Sequence, residues 1–142
     1  MPFLNHTDRQ RLEDAIKAAE LETSGEVVVC LRKRVKGDVR QAAESFFVER
    51  GLNRTAQRNA VLIFLATADR QLAVLGDEGI HARVSPEFWE KVVGAMTSRF
   101  KEGDTIGGLE AGIGEIGQQL RKWFPYQEDD VNELPDDIDV EE

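Results

Sequence analysis

Apolar residues recur every three to four positions in four segments of the chain, which is the spacing of amphipathic helices. The first segment follows a capping box formed by Thr7 and Gln10, which predicts a helix at about 7–22. Two more helices are predicted from Val39 to near Gly51 and from Ser85 to Gly103. The strongest periodicity comes after Asp104, and its apolar stripe comprises Ile106, Leu109, Ile113, Ile116, Leu120 and Trp123.

Three further segments have the composition of strands, namely 26–35, 60–65 and 71–75. The second is apolar throughout, as expected of a strand that is buried on both faces. A helix separates the first two strands, so they should be parallel, and the short turn at 67–70 makes the third antiparallel to the second. We therefore predict an α/β fold, a three-layer α/β/α sandwich with helices on both faces of a small mixed sheet.

The formal net charge of −9 is concentrated in the last residues of the chain. Residues 126–142 contain nine acidic side chains and no Lys or Arg, while the other 18 acids match the 18 Lys and Arg in number. We therefore predict one domain at 1–125 and an acidic tail at 126–142. This charge argues against nucleic acid or an anionic membrane as the main partner.

The first residues lack the apolar core of a signal peptide, and no run approaches the roughly 20 apolar residues of a membrane-spanning helix. We expect a cytoplasmic monomer with no membrane insertion, for which an unidentified protein partner is possible.

Polar residues cluster at three points that the predicted topology brings to one end of the sheet. Glu26 begins the first strand, Arg58 and Asn59 precede the second, and Asp77 and Glu78 follow the third. Oxygen ligands without Cys or His suit a hard cation. We therefore predict a Ca²⁺ or Mg²⁺ site formed by Glu26, Asn59, Asp77 and Glu78.

These residues also have structural interpretations that stay open. Asp77 could cap the short turn before His81, and Glu26 could form an ion pair with Arg58 at the rim of the sheet. Asn59 could satisfy the backbone of its loop. The glycines that flank the Asp77 segment, Gly76 and Gly79, permit a close approach of the backbone.

Other kinds of site find less support in the sequence. Cys30 lies in an apolar strand, which predicts a buried thiol rather than a nucleophile. His81 has no adjacent Ser or Cys with which to build a catalytic triad. The glycines between 107 and 117 lack the Gly-Lys-Ser/Thr sequence of a phosphate-binding loop, and they predict close packing of the fourth helix.

Six segments together have a specific order and spacing, and they extend from about residue 3 to 137. They are Thr23–Glu26 with the valines that follow, Thr55–Leu62, Gly76–His81, Phe88–Trp89, Phe100–Leu109 and Phe124–Asp136. In these segments the sequence resembles the TPM domain family, especially its bacterial branch without a membrane anchor. One departure is Ala60, where Gly is common in the family.

The resemblance implies an α/β/α sandwich and divalent-cation binding by acidic residues near the end of the sheet. It also implies two possible roles, phosphatase activity and the repair or assembly of membrane complexes. The lack of an anchor argues against a direct role in a membrane complex. The retained tail motif, together with its apolar residues, favours docking of residues 129–136 on the domain.

Three functions therefore remain open. The first is a non-catalytic domain that binds a divalent cation and acts through partners or in protein quality control or assembly. The second is a metal-assisted phosphomonoester hydrolase in which Arg58 clamps phosphate oxygens and Glu26 or Asp77 serves as ligand or base. The third is a protein-interaction module that binds no ion.

Overall fold

The computed structural model describes residues 4–126 and 138–141. This part of the chain forms five α-helices, a 3₁₀ turn (Leu52–Arg54) and four strands. The helices are α1 (His6–Glu20), α2 (Val39–Glu49), α3 (Glu78–His81), α4 (Pro86–Phe100) and α5 (Thr105–Leu120). The strands are β1 (Glu26–Arg32), β2 (Ala60–Ala66), β3 (Gln71–Gly76) and β4 (Ile138–Glu141). The predicted α/β class is confirmed.

These elements form two compact units. The helical unit comprises α1, α4 and α5, from residues 4–25 and 83–126. The sheet unit comprises the four strands with α2, α3 and the 3₁₀ turn, from residues 26–82 and 138–141.

The sheet is mixed, with the strand order β3-β2-β1-β4. β1 and β2 are parallel, with Glu26 opposite Ala60 and Arg32 opposite Ala66. β3 is antiparallel to β2. These directions confirm the prediction from the helix crossover and the short turn. Every residue of β2 is buried, as its continuous apolar sequence predicted.

The sequence did not predict β4, which pairs in parallel with β1 and places Val29 opposite Ile138. Arg32 donates to Asp139 at 2.8 Å, and Arg50 forms a second ion pair with the same carboxylate. These two arginines therefore hold β4 at the edge of the sheet. The predicted docking segment at 129–136 lies outside the described residues.

Helix α2 covers the strands with an apolar face. The Asp38 side chain begins this helix by accepting a hydrogen bond from the backbone N–H of Arg40 at 3.1 Å. The Phe46 ring meets the Phe64 ring of β2 edge to face, with 6.2 Å between the centroids. The core that they share also contains Val28, Cys30, Ala43, Phe47, Leu52, Ala60, Leu62, Ala73 and Leu75.

The helical unit packs through small residues. The glycines of α5, the fourth helix predicted from the sequence, indicated this close packing. A Cβ on Gly108 would lie 2.3 Å from the Phe100 ring, and one on Gly117 would lie 3.0 Å from Ala19 of α1. Gly112 likewise contacts Met96, whereas Gly114 faces open space, so the packing explanation is wrong for Gly114.

Two details at the ends of these helices differ from the sequence prediction. α1 is capped by Asn5, whose side chain accepts a hydrogen bond from Asp8 N–H at 2.8 Å, so the capping box at Thr7 is wrong. α5 ends at Leu120, so Trp123 is not part of its buried stripe and is 39% exposed.

No described helix combines the length and apolar character needed to cross a bilayer.

Burial raises the pKa of the Cys30 thiol to about 12. The unfolded chain loses this proton near the ordinary thiol pKa of 9.0, so between pH 9.0 and about 12 the folded state holds more protons than the unfolded state. We therefore expect the unfolding free energy to fall as pH rises through this range. Urea unfolding at several pH values would show a smaller fall in Cys30→Ala; an identical fall in both proteins would contradict this role of the thiol.

Candidate functional site

The ends of three neighbouring strands meet at one end of the sheet. The Glu26 N–H donates to the Asn59 carbonyl at 3.3 Å, and the Asp77 N–H donates to the Ala60 carbonyl at 3.0 Å. These backbone bonds bring together the three predicted polar clusters. They lie at the start of β1 (Glu26), before β2 (Arg58 and Asn59) and after β3 (Asp77 and Glu78). The strand directions predicted this arrangement.

An ion pair joins Arg58 and Asp77 at this end of the sheet. Arg58 Nε donates to one carboxylate oxygen at 2.6 Å, and Nη2 donates to the other at 2.8 Å. The Asp77 side chain is only 5% exposed, whereas that of Arg58 is 39% exposed. The hydrogen bonding of Arg58 to the Asp77 carboxylate, which accepts from it, raises the pKa of Arg58 above its ordinary value. Arg58 therefore neutralises a carboxylate that burial would otherwise destabilise.

Glu78 adds a second, exposed carboxylate to this group. Its side chain is 81% exposed, and Oε2 lies 3.4 Å from Arg58 Nη1. The ion pairs of Arg58 that the structure shows are thus with Asp77 and Glu78, while the sequence had offered Glu26 as its partner.

The backbone of Arg58 is held in an unusual conformation. Its φ is +53°, in the left-handed region that residues with a Cβ rarely occupy. The Arg58 carbonyl accepts a hydrogen bond from Gly79 N–H at 2.8 Å. A Cβ on Gly79 would lie 2.3 Å from the Gln57 carbonyl oxygen and 2.6 Å from that of Arg58. Only glycine fits at position 79. The close approach of the backbone that the sequence indicated at this glycine is therefore present.

Asp77 also occupies the N-cap position of α3, as the structural interpretation suggested, but its side chain makes no capping hydrogen bond. Its carbonyl instead accepts from the N–H groups of Ile80 and His81. The carboxylate is thereby directed to Arg58 rather than to the helix.

The ion pair lies in the wall of a cleft of about 340 Å³ within the sheet unit. The cleft is lined by Arg40, Glu44, Phe47, Val48, Asn53, Arg58, Leu75, Gly76, Asp77, Glu78 and His81. Of the predicted ligands, Asp77 and Glu78 therefore line the cleft. Glu26 and Asn59 lie at the same end of the sheet but are buried and are not part of this lining.

Arg40, Glu44 and Asn53 were not among the predicted site residues, and α2 and the 3₁₀ turn contribute them to the cleft. Asn53 Oδ1 is buried and has no hydrogen-bond partner within the described residues. In the same part of the chain, Asn59 Nδ2 is also buried without a partner, and the backbone of Asn59 makes its hydrogen bonds. The Nδ2 group of its side chain therefore does not bond to the backbone of the loop.

The donor set agrees in part with a hard cation. Asp77, Glu78 and Glu44 carry carboxylates, and Asn53 adds an amide oxygen, but Arg58 binds both oxygens of Asp77. Across the described ranges, no three His, Cys, Asp or Glu side chains are grouped closely enough to hold a metal ion. Mg²⁺ often uses one or two carboxylates and retains several waters, so this donor set fits a partly hydrated ion better than a closed protein cage.

Comparison with known proteins assigns this α/β domain to a known family. The family model of the TPM domain matches residues 2–119, and the chain belongs to the TPM domain family. The resemblance seen in the sequence is thereby confirmed. No curated protein matches the chain.

Several solved structures share the fold. The NMR structure of BA42 from the psychrophilic bacterium Bizionia argentinensis is 37% identical, with a TM-score of 0.93, and the match covers 99% of this chain and 97% of that protein. An N-terminal domain from P. gingivalis has a TM-score of 0.70 at 15% identity, covering 85% of this chain and 78% of that one. The N-terminal domain of cg2496 from Corynebacterium glutamicum has a TM-score of 0.68 at 15% identity, covering 83% and 74%.

Replacing Gly79 by Ala should disrupt the site, because the new methyl group would collide with two backbone carbonyls that cannot rotate away. We expect a loss of about 1–3 kcal/mol in unfolding free energy, measured by urea denaturation. Gly114→Ala is the matched control: it lies in helix α5 with open space around it and should gain about 0.5–1 kcal/mol. A Gly79→Ala protein as stable as the parent would show that Gly79 does not pack tightly against the carbonyls of Gln57 and Arg58.

Proposed function

We propose that this TPM domain binds a divalent cation, Mg²⁺ or Ca²⁺, in the cleft of its sheet unit and acts through partners rather than as an enzyme. The observation that carries the proposal is the buried Asp77 carboxylate, which shares the cleft with the exposed Glu78 carboxylate. A buried carboxylate needs a counter-charge, and a cation can supply it.

Three side chains would contribute oxygen to such an ion, Asp77, Glu78 and Asn53, and water would complete its coordination. Two of these are adjacent in sequence, and Asn53 Oδ1 has no hydrogen-bond partner in the described part of the chain. Glu26 and Asn59, which the sequence also suggested, would then support the cleft from the buried end of the sheet. The bound ion would supply positive charge to the carboxylates and stabilise the folded state by mass action.

Arg58 would be the competitor of the ion. Its guanidinium already neutralises Asp77 through two hydrogen bonds, so a cation on Asp77 must displace at least one of them. The Arg58 side chain is 39% exposed and can move into solvent. Cation binding would therefore exchange one positive partner of Asp77 for another and release the loop that carries Arg58.

This exchange predicts opposite effects of two substitutions on ion binding. The melting temperature of the parent should rise with Mg²⁺ or Ca²⁺, because an ion at a hundredfold excess over its Kd adds about 2.7 kcal/mol. Asp77→Asn should reduce the rise, whereas Arg58→Gln should lower the starting stability but increase the rise. NMR titration should place the largest shifts at residues 76–79.

Glu49→Gln is the matched control for this experiment, because it removes one acidic charge from the exposed end of α2, outside the cleft. It should leave the ion response unchanged. If neither ion changes melting or the NMR signals of 76–79, the proposal is wrong. If Arg58→Gln weakens the response, the competition between arginine and cation is wrong.

A phosphomonoester hydrolase is the second candidate, because the family model is labelled as a phosphatase and two arginines, Arg40 and Arg58, line the cleft. In that case Arg58 would bind phosphate oxygens rather than oppose the ion. Hydrolysis of p-nitrophenyl phosphate with Mg²⁺ should then fall in Arg58→Gln. If the parent hydrolyses this substrate no faster than Glu26→Ala does, the result argues against an enzyme. If Arg58→Gln is the one variant that loses hydrolysis, the result favours an enzyme.

A further inference from the structure

A second cleft, of about 200 Å³, lies within the helical unit and is independent of the proposed cation site. It lies beside the first turn of α4 and the residues that follow α5. Three basic side chains line it, Arg83, Lys91 and Lys122, together with a single acid, Glu87. The cleft therefore has an excess of positive charge on an otherwise acidic chain.

Within the part of the chain that the structure describes, the three cations form no ion pairs. In residues 4–126 and 138–141, no carboxylate lies within ion-pairing distance of Arg83, Lys91 or Lys122. Ion pairs elsewhere in the described residues involve Arg9, Arg11, Arg32, Arg50, Arg58 and Arg99. Unpaired cations that face one small cavity are a suitable environment for an anion.

Two other features supply hydrogen-bond donors in the same place. Ser85 is the N-cap of α4, yet its hydroxyl makes no capping hydrogen bond. The 15-residue helix α4 begins beside the cleft with Pro86, so the positive end of its dipole and the N–H of Glu87 lie here. An anion at this position would therefore meet both charged donors and the start of a helix.

One wall of the cleft is aromatic. Trp123 is 39% exposed, and Lys122 Nζ lies 4.8 Å from the centre of its ring. The indole thus holds a lysine next to the cavity and also offers an apolar surface. The cavity is smaller than the 300–1,000 Å³ typical of drug-sized ligands, which favours a compact group.

We propose that this cleft binds the phosphoryl group of a small molecule, either free phosphate or a small phosphate monoester. A phosphate dianion matches three unpaired cations better than a carboxylate with one charge. Any apolar substituent of a monoester would lie against Trp123.

NMR titration of the full chain with inorganic phosphate, phenyl phosphate and acetate at constant ionic strength tests this site. Both phosphates should shift the signals of residues 83–91 and 119–123 in a saturable manner, and acetate should not. Tighter binding of phenyl phosphate, abolished by Trp123→Ala, would identify a monoester as the ligand; equal binding would identify free phosphate. Equal binding of acetate, or shifts confined to residues 76–79, would overturn the proposal.

Lys91→Gln and Lys122→Gln should each weaken phosphate binding about tenfold, the effect of losing one charged hydrogen bond. Lys101→Gln is the matched control, because Lys101 lies at the other end of α4 and outside the cleft. It should bind phosphate as the parent does. If all three variants bind phosphate equally, the cleft is not the site. Binding only to phosphatidic acid vesicles, and to neither small phosphate, would also contradict the proposal.

Discussion

Backbone hydrogen bonds between the ends of β1, β2 and β3 bring Arg58, Asp77 and Glu78 of the candidate cation site together. Glu26 N–H bonds to Asn59, and Asp77 N–H bonds to Ala60, so three separate parts of the chain are fixed side by side. Arg58 and Asp77 are 19 residues apart, yet this arrangement lets a guanidinium meet a buried carboxylate through two hydrogen bonds. The charge chemistry of the cleft is therefore a consequence of strand direction.

Much of the fold follows from periodicity and crossover rules, whereas the short elements do not. The amphipathic helices and the apolar β2 have local patterns long enough to recognise. α3 is a single turn of four residues, too short for a helical period. β4 is hidden in an acidic segment, and its stability depends on Arg32 and Arg50, which only the folded chain brings to Asp139. Asn5 rather than the predicted Thr7 caps α1, because its side chain accepts a hydrogen bond from Asp8 N–H.

The end of the sheet at which the polar groups gather could be predicted, but their pairing could not. Glu26 and Asp77 lie at the same end, so sequence spacing cannot say which carboxylate Arg58 meets. That choice depends on the left-handed backbone of Arg58 and on Gly79, which lets the two loops touch. The contributions of Arg40, Glu44 and Asn53 depend on how α2 and the 3₁₀ turn cover the strands, which no local pattern records.

The edge position of β4 also has a consequence for biosynthesis. Arg32 of β1 and Asp139 of β4 are 107 residues apart, so a ribosome delivers the outer strand long after its neighbour. Until then the free edge of β1 exposes unpaired N–H and C=O groups that a strand from another nascent chain could bind. The late arrival of β4 therefore ends a period in which the growing polypeptide is prone to aggregation.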